Sequence, residues 1–269
     1  MKKLTLTVLA TICLAFIFGA SASFAAKETY TAGPVDNGGS ISGTVMFTGK
    51  APEPIMEDLG KGKNAEFCAQ HPDAKDGMRP RHKVVANDGK LLNAVIYIEN
   101  IASGKGWKTE TINFDFKDCD ITQKVLVVRK TPKGMKEGLV TITNHDPDIL
   151  HNPHGYSVVG ANRKTLFNKP LPSQGDVADV TRNLKRFKQK KDKHFFIQCD
   201  QHNYMEADAR IVWNPYYFVT GADGTFKLDQ VPAGKYKVTA WHPYIGEVTT
   251  EVTLSGGADV QVDFELTAE

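Results

Sequence analysis

Short runs of alternating apolar and polar residues recur along most of the chain, and long helical periodicity is almost absent. The runs are rich in Val, Ile, Thr and aromatic residues, which favour strands. Clusters of Gly, Pro, Asn and Asp separate them, with sharp turn signals in "ADGT" and "PAG". Representative runs are "SISGTVMF", "NAVIYIENI", "GLVTITNH", "HFFIQC" and "EVTTEVTL". The pattern predicts an all-β protein made of sandwiches or barrels.

The N-terminus departs from this pattern. Two lysines precede the apolar run "LTVLATICLAFIFGA" and the small residues "SASFAA". This order is typical of a secretory signal peptide, so we expect residues 1–26 to be removed and the mature chain to be periplasmic or extracellular. The run is short for a membrane span, and nothing else in the sequence is apolar for long enough, so no membrane span is expected.

Composition adds little about partners. The chain has 33 Lys and Arg against 31 Asp and Glu, a balance that favours neither nucleic acid nor a membrane surface. The basic run 182–193 is the exception, and it predicts either a solvated loop or short helix, or a docking surface for an acidic redox partner such as a cytochrome. It lacks the interleaved aromatic residues that stack on bases, so no nucleic acid is expected. The candidate docking residues are Lys185, Arg186, Lys188, Lys190, Lys191 and Lys193.

The C-terminal part contains "TGADGTFKLDQVPAGKYKV". This stretch resembles the carboxypeptidase regulatory-like (transthyretin-like) β-sandwich. The first half of that family's pattern is missing just upstream and occurs much earlier, in 39–54 and 90–100. The resemblance implies a discontinuous sandwich of 39–104 plus 214–266, with a second domain, 106–213, inserted between its halves. The alternative is that 39–100 belongs to the second domain, which then precedes the sandwich.

The second domain carries "CDQHNYM" at 199–205, which places a thiol, an imidazole and a thioether within seven residues. Soft sulfur ligands with imidazoles suit copper, in particular a trigonal His₂Cys site with a weak axial Met. The spacing Cys-x2-His-x2-Met resembles the ligand loop of amicyanin-type cupredoxins. Upstream, "NHDPDILHN" at 144–152 resembles the motif that supplies the first His in that family.

The resemblance implies a cupredoxin-like Greek-key domain with one copper ion bound by His151, Cys199, His202 and Met205. Asn152 is then the residue that ties the two ligand-bearing segments together. The implied function is one-electron transfer between redox partners, and the chain is expected not to be an enzyme because it has no H-x-H pair. The alternatives are an envelope copper carrier or storage protein, and a structural or adhesion sandwich with a vestigial copper site.

The remaining Cys and His residues have simpler interpretations. Cys68 and Cys119 are expected to form a disulfide that joins the early loop to the inserted domain; the rival hypothesis makes "CAQH" a second metal-binding patch. His154 competes with His151 as a ligand, and otherwise lies in a surface loop. His242 ends a sandwich strand, where it is either structural or exposed, or faces the copper domain.

Overall fold

A computed structural model describes residues 30–268, so the predicted signal at 1–26 lies outside the described residues. The regular secondary structure of this part of the chain is almost entirely β-strand, and the prediction of an all-β fold is confirmed. The strands of the first half are β1 Thr31–Ala32, β2 Gly39–Thr48, β3 Ile55–Asp58, β4 Met78–Arg81, β5 Ala86–Asn87, β6 Lys90–Leu91, β7 Val95–Ile98, β8 Ser103–Gly104, β9 Ile112–Lys117, β10 Asp120–Ile121 and β11 Val125–Arg129.

The strands of the second half are β12 Val140–Asn144, β13 Pro153–Val159, β14 Asn162–Asn168, β15 Val177–Asp179, β16 His194–Cys199, β17 Glu206–Val212, β18 Tyr217–Val219, β19 Thr225–Val231, β20 Gly234–His242, β21 Gly246–Leu254, β22 Asp259–Gln261 and β23 Phe264–Thr267. Helical structure within 30–268 is limited to helix α1, Ala65–Cys68, and a 3-10 helix, Thr181–Arg186. No helix in this range is both long enough and apolar enough to cross a lipid bilayer.

Strands β9 to β17 build one sandwich, which we call the inserted sandwich. One of its sheets has the order β10-β9-β12-β15, and the other has the order β11-β17-β16-β13-β14. Alternate residues of the facing strands point inward, as the burial of Val140, Ile142 and Asn144 in β12 shows. Val140 and Ile142 meet Phe114 and Phe195 in a shared buried core. The sandwich therefore has an apolar interior of its own.

A second sandwich combines strands from both ends of the described chain. β7 lies between β18 and β20 in one sheet, and β2 pairs with β19, β22 and β23 in the other. The register places Val45 opposite Phe264, and Tyr97 opposite Tyr217. Its core is separate from the first and includes Ile41. Strands from 39–104 and 214–266 thus share the same two sheets.

The two sandwiches contact each other through a smaller apolar cluster. Val95 of the second sandwich and Val127 of the inserted sandwich belong to it, together with Trp241. Arg210 of β17 is buried at this boundary, where it donates hydrogen bonds to Tyr97 and, over 2.8 Å, to Glu247. An apolar contact closed by a buried cation favours a fixed arrangement of the two sandwiches.

Residues 55–83 leave the second sandwich and cover part of the inserted one, and we call them the cap segment. The segment contains the paired strands β3 and β4 and helix α1. Its Leu59 and Cys68 lie in the core of the inserted sandwich. Cys68 forms a disulfide with Cys119 in the turn between β9 and β10. The cap segment is thus attached to the inserted sandwich by both packing and a covalent bond.

The basic run begins in the 3-10 helix and ends where β16 begins. Its candidate docking residues, Lys185, Arg186, Lys188, Lys190, Lys191 and Lys193, are all exposed. β16 has six residues, so its first residue, His194, lies about 17 Å from its last, Cys199. The basic surface is therefore at the end of this strand opposite to Cys199.

His242 ends β20 and is 2% exposed. Burial lowers the pKa of its imidazole to about 4, despite the nearby Asp208 carboxylate. The unfolded chain takes up this proton near pH 6.5 and the folded chain does not, so the free energy of unfolding falls as the pH drops between these two values.

We expect about 2 kcal/mol of stability to be lost between pH 7 and pH 5 through this residue. Urea unfolding at both pH values measures the loss in the wild type, and the same experiment on His242→Asn gives the background from other groups. If the free energy of unfolding depends on pH equally in the wild type and in His242→Asn, His242 is not the source of the loss.

Candidate metal centre

Three side chains named from the sequence converge in the interior of the inserted sandwich. Cys199 is the last residue of β16, and its sulfur lies 3.7 Å from Nδ1 of His151 and 3.7 Å from Nδ1 of His202. The donor atoms of all three lie within 4.8 Å of one another. None of the three side chains is more than 2% exposed. They form a preassembled group of one sulfur and two nitrogens.

Local hydrogen bonds set the shape of the loop that carries two of these side chains, Cys199 and His202. The backbone N–H of Cys199 donates to the carbonyl of Met205 over 3.0 Å, and the N–H of Met205 donates to the carbonyl of His202 over 2.9 Å. Met205 is fully buried, in the same core as Cys199. The loop therefore closes on itself immediately before β17 begins.

Asn152 joins this loop to the segment that carries His151. Its backbone N–H donates to the sulfur of Cys199 over 3.4 Å, and its carbonyl accepts the N–H of Asp200 over 3.0 Å. Its side-chain amide also donates to the Asp200 carboxylate over 3.4 Å. These contacts hold the sulfur and the first histidine at a fixed separation.

The surroundings of Cys199 favour a thiolate. Burial raises the pKa of the thiol, but hydrogen bonds with His151 and His202 and the N–H of Asn152 outweigh it and lower the pKa to about 6. A sulfur that carries negative charge near neutral pH is the form that binds metal ions. The site thus offers a negative charge that favours binding of a cation.

A buried carboxylate fixes the orientation of His151. Nε2 of this ring lies 2.9 Å from Oδ2 of Asp146. The backbone N–H groups of Asp118 and Cys119 also donate to Asp146, over 2.5 and 2.8 Å. Because Nε2 keeps its proton toward Asp146, the proton that Nδ1 donates to the Cys199 thiolate is the one that a metal ion would displace, which leaves the Nδ1 lone pair for the ion. Asp146 therefore selects the tautomer suited to a ligand.

Replacing Asp146 with Asn is expected to lower the affinity for copper by about 10–100-fold, because the carboxylate no longer selects this tautomer. Competition with a chelator of known affinity measures the change. The matched control is Asp115→Asn, since Asp115 lies 2.7 Å from His145 outside the ligand group. Equal affinities in the two variants would refute the role of Asp146.

The cap segment covers the ligand loop at several points. Oδ1 of Asn64 lies 3.2 Å from Nε2 of His202, and Lys63 donates to Gln201 over 2.5 Å. The guanidinium of Arg79 lies 5.6 Å from the centre of the Tyr204 ring. Sequence reasoning did not find these contacts.

An ionic network continues the contact beyond the loop. Arg79 donates to the Glu57 carboxylate over 2.6 and 3.0 Å, and both side chains are only 4% exposed. Arg81 bridges Glu57 and Glu206, and Lys83 pairs with the same Glu206. Glu206 follows Met205 directly, so the network holds the start of β17 against the cap segment.

A cleft of about 410 Å³ opens between the cap segment and the ligand loop. Lys61 and Lys63 lie on one side, Gln201 and Asn203 lie on the other, and His202 lines the cleft as well. Because His202 is a member of the ligand group, the cleft is a route from solvent to the centre.

The other sequence candidates lie outside the ligand group. His154 contacts the Asp200 carboxylate over 3.2 Å and Thr165 over 3.0 Å, and stacks on Tyr156. In "CAQH", the Cys sulfur is in the disulfide, and His71 accepts a hydrogen bond from the N–H of Asp73 over 3.0 Å. As long as the disulfide is intact, "CAQH" therefore offers no thiolate.

The chemistry of the donor set fits copper. A thiolate and two imidazoles, with a buried thioether at the end of the same loop, are the ligands of mononuclear copper sites with one Cys, two His and a weak Met. Zinc sites with this number of protein donors also occur, but they favour tetrahedral sets of Cys and His without Met. Copper is therefore the metal that these residues suit best.

Comparison with known proteins gives a family match for one part of the chain. The model of the carboxypeptidase regulatory-like domain matches residues 207–267, which run from β17 to β23. The prediction of such a domain at the C-terminal end is thereby confirmed. No curated protein matches the chain.

Several solved structures are similar to part of the chain. A Met-to-Ala mutant of amicyanin with Cu(I) is 13% identical, covers 38% of this chain and 82% of its own, and has a TM-score of 0.25. A Pro-to-Gly mutant of amicyanin, reduced at pH 4, is 14% identical. The match covers 45% of this chain and 99% of the mutant, with a TM-score of 0.27. A copper-containing nitrite reductase from Thermus scotoductus SA-01 is 16% identical. The match covers 40% of this chain and 24% of the reductase, also with a TM-score of 0.27.

Proposed function

We propose that this protein is an exported mononuclear copper protein that transfers one electron at a time between redox partners. His151, Cys199 and His202 would hold the ion, and Met205 would act as the weak fourth ligand. Copper bound there would supply the change between Cu(II) and Cu(I). The proposal includes the periplasmic or extracellular location expected from the signal sequence, a redox protein such as a cytochrome as the partner, and no catalytic residue.

One observation carries this proposal: both histidine Nδ1 atoms lie 3.7 Å from the Cys199 sulfur in a buried, hydrogen-bonded group. Ligands that are already held in place move little when the charge of the ion changes. Little movement favours rapid electron exchange, because less of the surroundings must reorganise. Asp146 and Asn152 supply this restraint from two different segments.

The cap segment favours electron transfer over copper carriage or storage. A carrier must release its ion, which requires at least one ligand to move away from it. Here Asn64 covers the outer edge of His202, which is 2% exposed, and the Cys68–Cys119 disulfide fastens the segment that carries Asn64. The preassembled ligand group likewise argues against a purely structural sandwich with a vestigial site.

Repeated redox cycling distinguishes electron transfer from carriage. The chain without its predicted signal is loaded with one equivalent of copper, reduced with ascorbate and reoxidised with ferricyanide over several cycles. We expect one electron per copper in each cycle, with the copper retained after gel filtration. Cys199→Ser, treated in the same way, is the control and should lose its copper.

The competing functions give different results in this experiment. A carrier releases copper to a chelator in one of the two oxidation states, and a vestigial site retains none at the start. Either result would overturn the proposal. Retained copper that accepts no electron would also do so.

A further inference from the structure

The disulfide lies directly beside the proposed copper centre. The sulfurs of Cys68 and Cys119 and a ring nitrogen of His202 all lie within 4.8 Å of one another. All three side chains are buried. His202 thus belongs to two clusters of ligand atoms, one containing Cys199 and His151 and one containing the disulfide.

The two ring nitrogens of His202 face different neighbours. Nδ1 lies 3.7 Å from the Cys199 sulfur, and Nε2 lies 3.2 Å from Oδ1 of Asn64. Asn64 immediately precedes helix α1, whose last residue is Cys68. The ring therefore stands between the proposed copper centre and the start of the helix that ends at the disulfide.

Each half of the disulfide is positioned independently of the S–S bond. The backbone N–H of Cys68 donates to the carbonyl of Asn64 over 2.9 Å, within the turn of α1. The N–H of Cys119 donates to the buried Asp146 carboxylate over 2.8 Å. The Cα atoms of the two cysteines are 5.3 Å apart. After reduction, these contacts keep the two sulfurs close together.

We infer that reduction of the Cys68–Cys119 disulfide creates a second metal site, in which the two thiolates and His202 bind Cu(I). Two thiolates with an imidazole form a soft donor set that selects Cu(I). The inference goes beyond the proposed function, because this site does not use Cys199. It gives the chain a capacity for copper that depends on the redox state of its surroundings.

The reduction is a thiol–disulfide exchange with a dithiol. The protein S–S bond breaks, a new S–S bond forms in the reductant, and the two protons of the dithiol move to the sulfurs of Cys68 and Cys119. The Cu(I) ion then replaces these two protons. Where Nδ1 of His202 already binds the first ion, Nε2 of the same ring also gives up its proton to bind the second, so three protons leave to solvent and the valence of the ion does not change. The cleft that reaches His202 is the route for the ion.

The test is an anaerobic titration with Cu(I) against a coloured chelator. One sample keeps the disulfide, and the other is reduced with dithiothreitol and desalted, with its free thiols counted by alkylation and mass spectrometry. We expect the bound copper to rise from one to two equivalents on reduction. The double variant Cys68→Ser/Cys119→Ser should bind one equivalent under both conditions.

Cys199→Ser separates this inference from the proposed function. Reduced Cys199→Ser should bind one equivalent of Cu(I) more than the same variant with its disulfide intact. If the wild type lacks the first site but gains one equivalent on reduction, the proposed function fails and this inference holds. A reduced wild type with all its thiols free that gains no copper overturns the inference, and so does a reduced chain that loses its circular dichroism signal.

Discussion

We expect one equivalent of Cu(II) to produce an intense visible band in the wild type and no such band in Cys199→Ser. The band arises from charge transfer between a thiolate sulfur and Cu(II), and a serine hydroxyl is neutral at this pH and much harder as a ligand. The substitution changes one atom in a site where both histidines and the N–H of Asn152 point at that atom. Titration of the metal-free protein with Cu(II), followed by absorption, measures the effect.

Met205→Leu is the matched control for this experiment. Leucine has a similar size and keeps the buried position filled, while the sulfur and the two imidazoles remain. We expect the band to persist in this variant and the reduction potential to change, because a thioether that binds weakly as a fourth ligand would tune the potential. A band that survives in Cys199→Ser, or that never forms in the wild type, would refute the ligand assignment.

Replacing Arg79 with Met is expected to lower the free energy of unfolding by about 1–3 kcal/mol, because the buried Glu57 carboxylate loses two hydrogen bonds while Arg81 still pairs with it. Arg79 is 4% exposed, and it pairs with Glu57 over 2.6 Å and with Asp120 over 3.2 Å. Methionine keeps much of the aliphatic volume, so the loss reports on charge more than on packing. Chemical unfolding followed by fluorescence measures the change.

Two further variants make this prediction specific. Lys50→Ala removes an ion pair with Glu53 in which both side chains are at least 80% exposed, so we expect no measurable change in stability. Glu57→Leu combined with Arg79→Met removes both partners of the closest pair and should recover part of the loss. A loss below about 1 kcal/mol in Arg79→Met alone would contradict the buried network.

The strands were predictable because their pattern is local. In β19, "TFKLDQV" alternates between exposed and buried residues as far as Leu228. The register then shifts before Val231, with Gln230 at a φ of 53°. A left-handed backbone at this position usually calls for Gly or Asn, so the residue types around the shift gave no signal for it.

The ligand group was predictable for the same reason, since its residues occur in two short motifs. The covering of His202 was not, because Asn64 lies 138 residues away in the sequence. The polar stretch around Asn64 has the composition of an ordinary surface loop, and nothing in it indicates a contact with a histidine. Contacts that close across such distances depend on how whole sandwiches pack.

For the basic run, the sequence predicts the exposure of the side chains but not their position in the fold. Its exposure follows from composition, and all six candidate docking residues are exposed. Its position depends on the direction of β16, which places it about 17 Å from Cys199 along the strand. The cleft at His202 is therefore the shorter route to the centre, and docking at the basic run stays a prediction.

The pairing of β2 with the last strands has a consequence for the order of folding. The hydroxyls of Thr48 and Thr267 are 2.8 Å apart, although 219 residues separate them. During synthesis from the N-terminus, β2 has to wait for β19, β22 and β23 to emerge, whereas the inserted sandwich has its strands sooner. A waiting strand with open edges is prone to aggregation. The second sandwich is thus expected to fold after the inserted sandwich and to be more prone to aggregation until it does. In a chain truncated before β22, β2 lacks its pairing with β22 and β23.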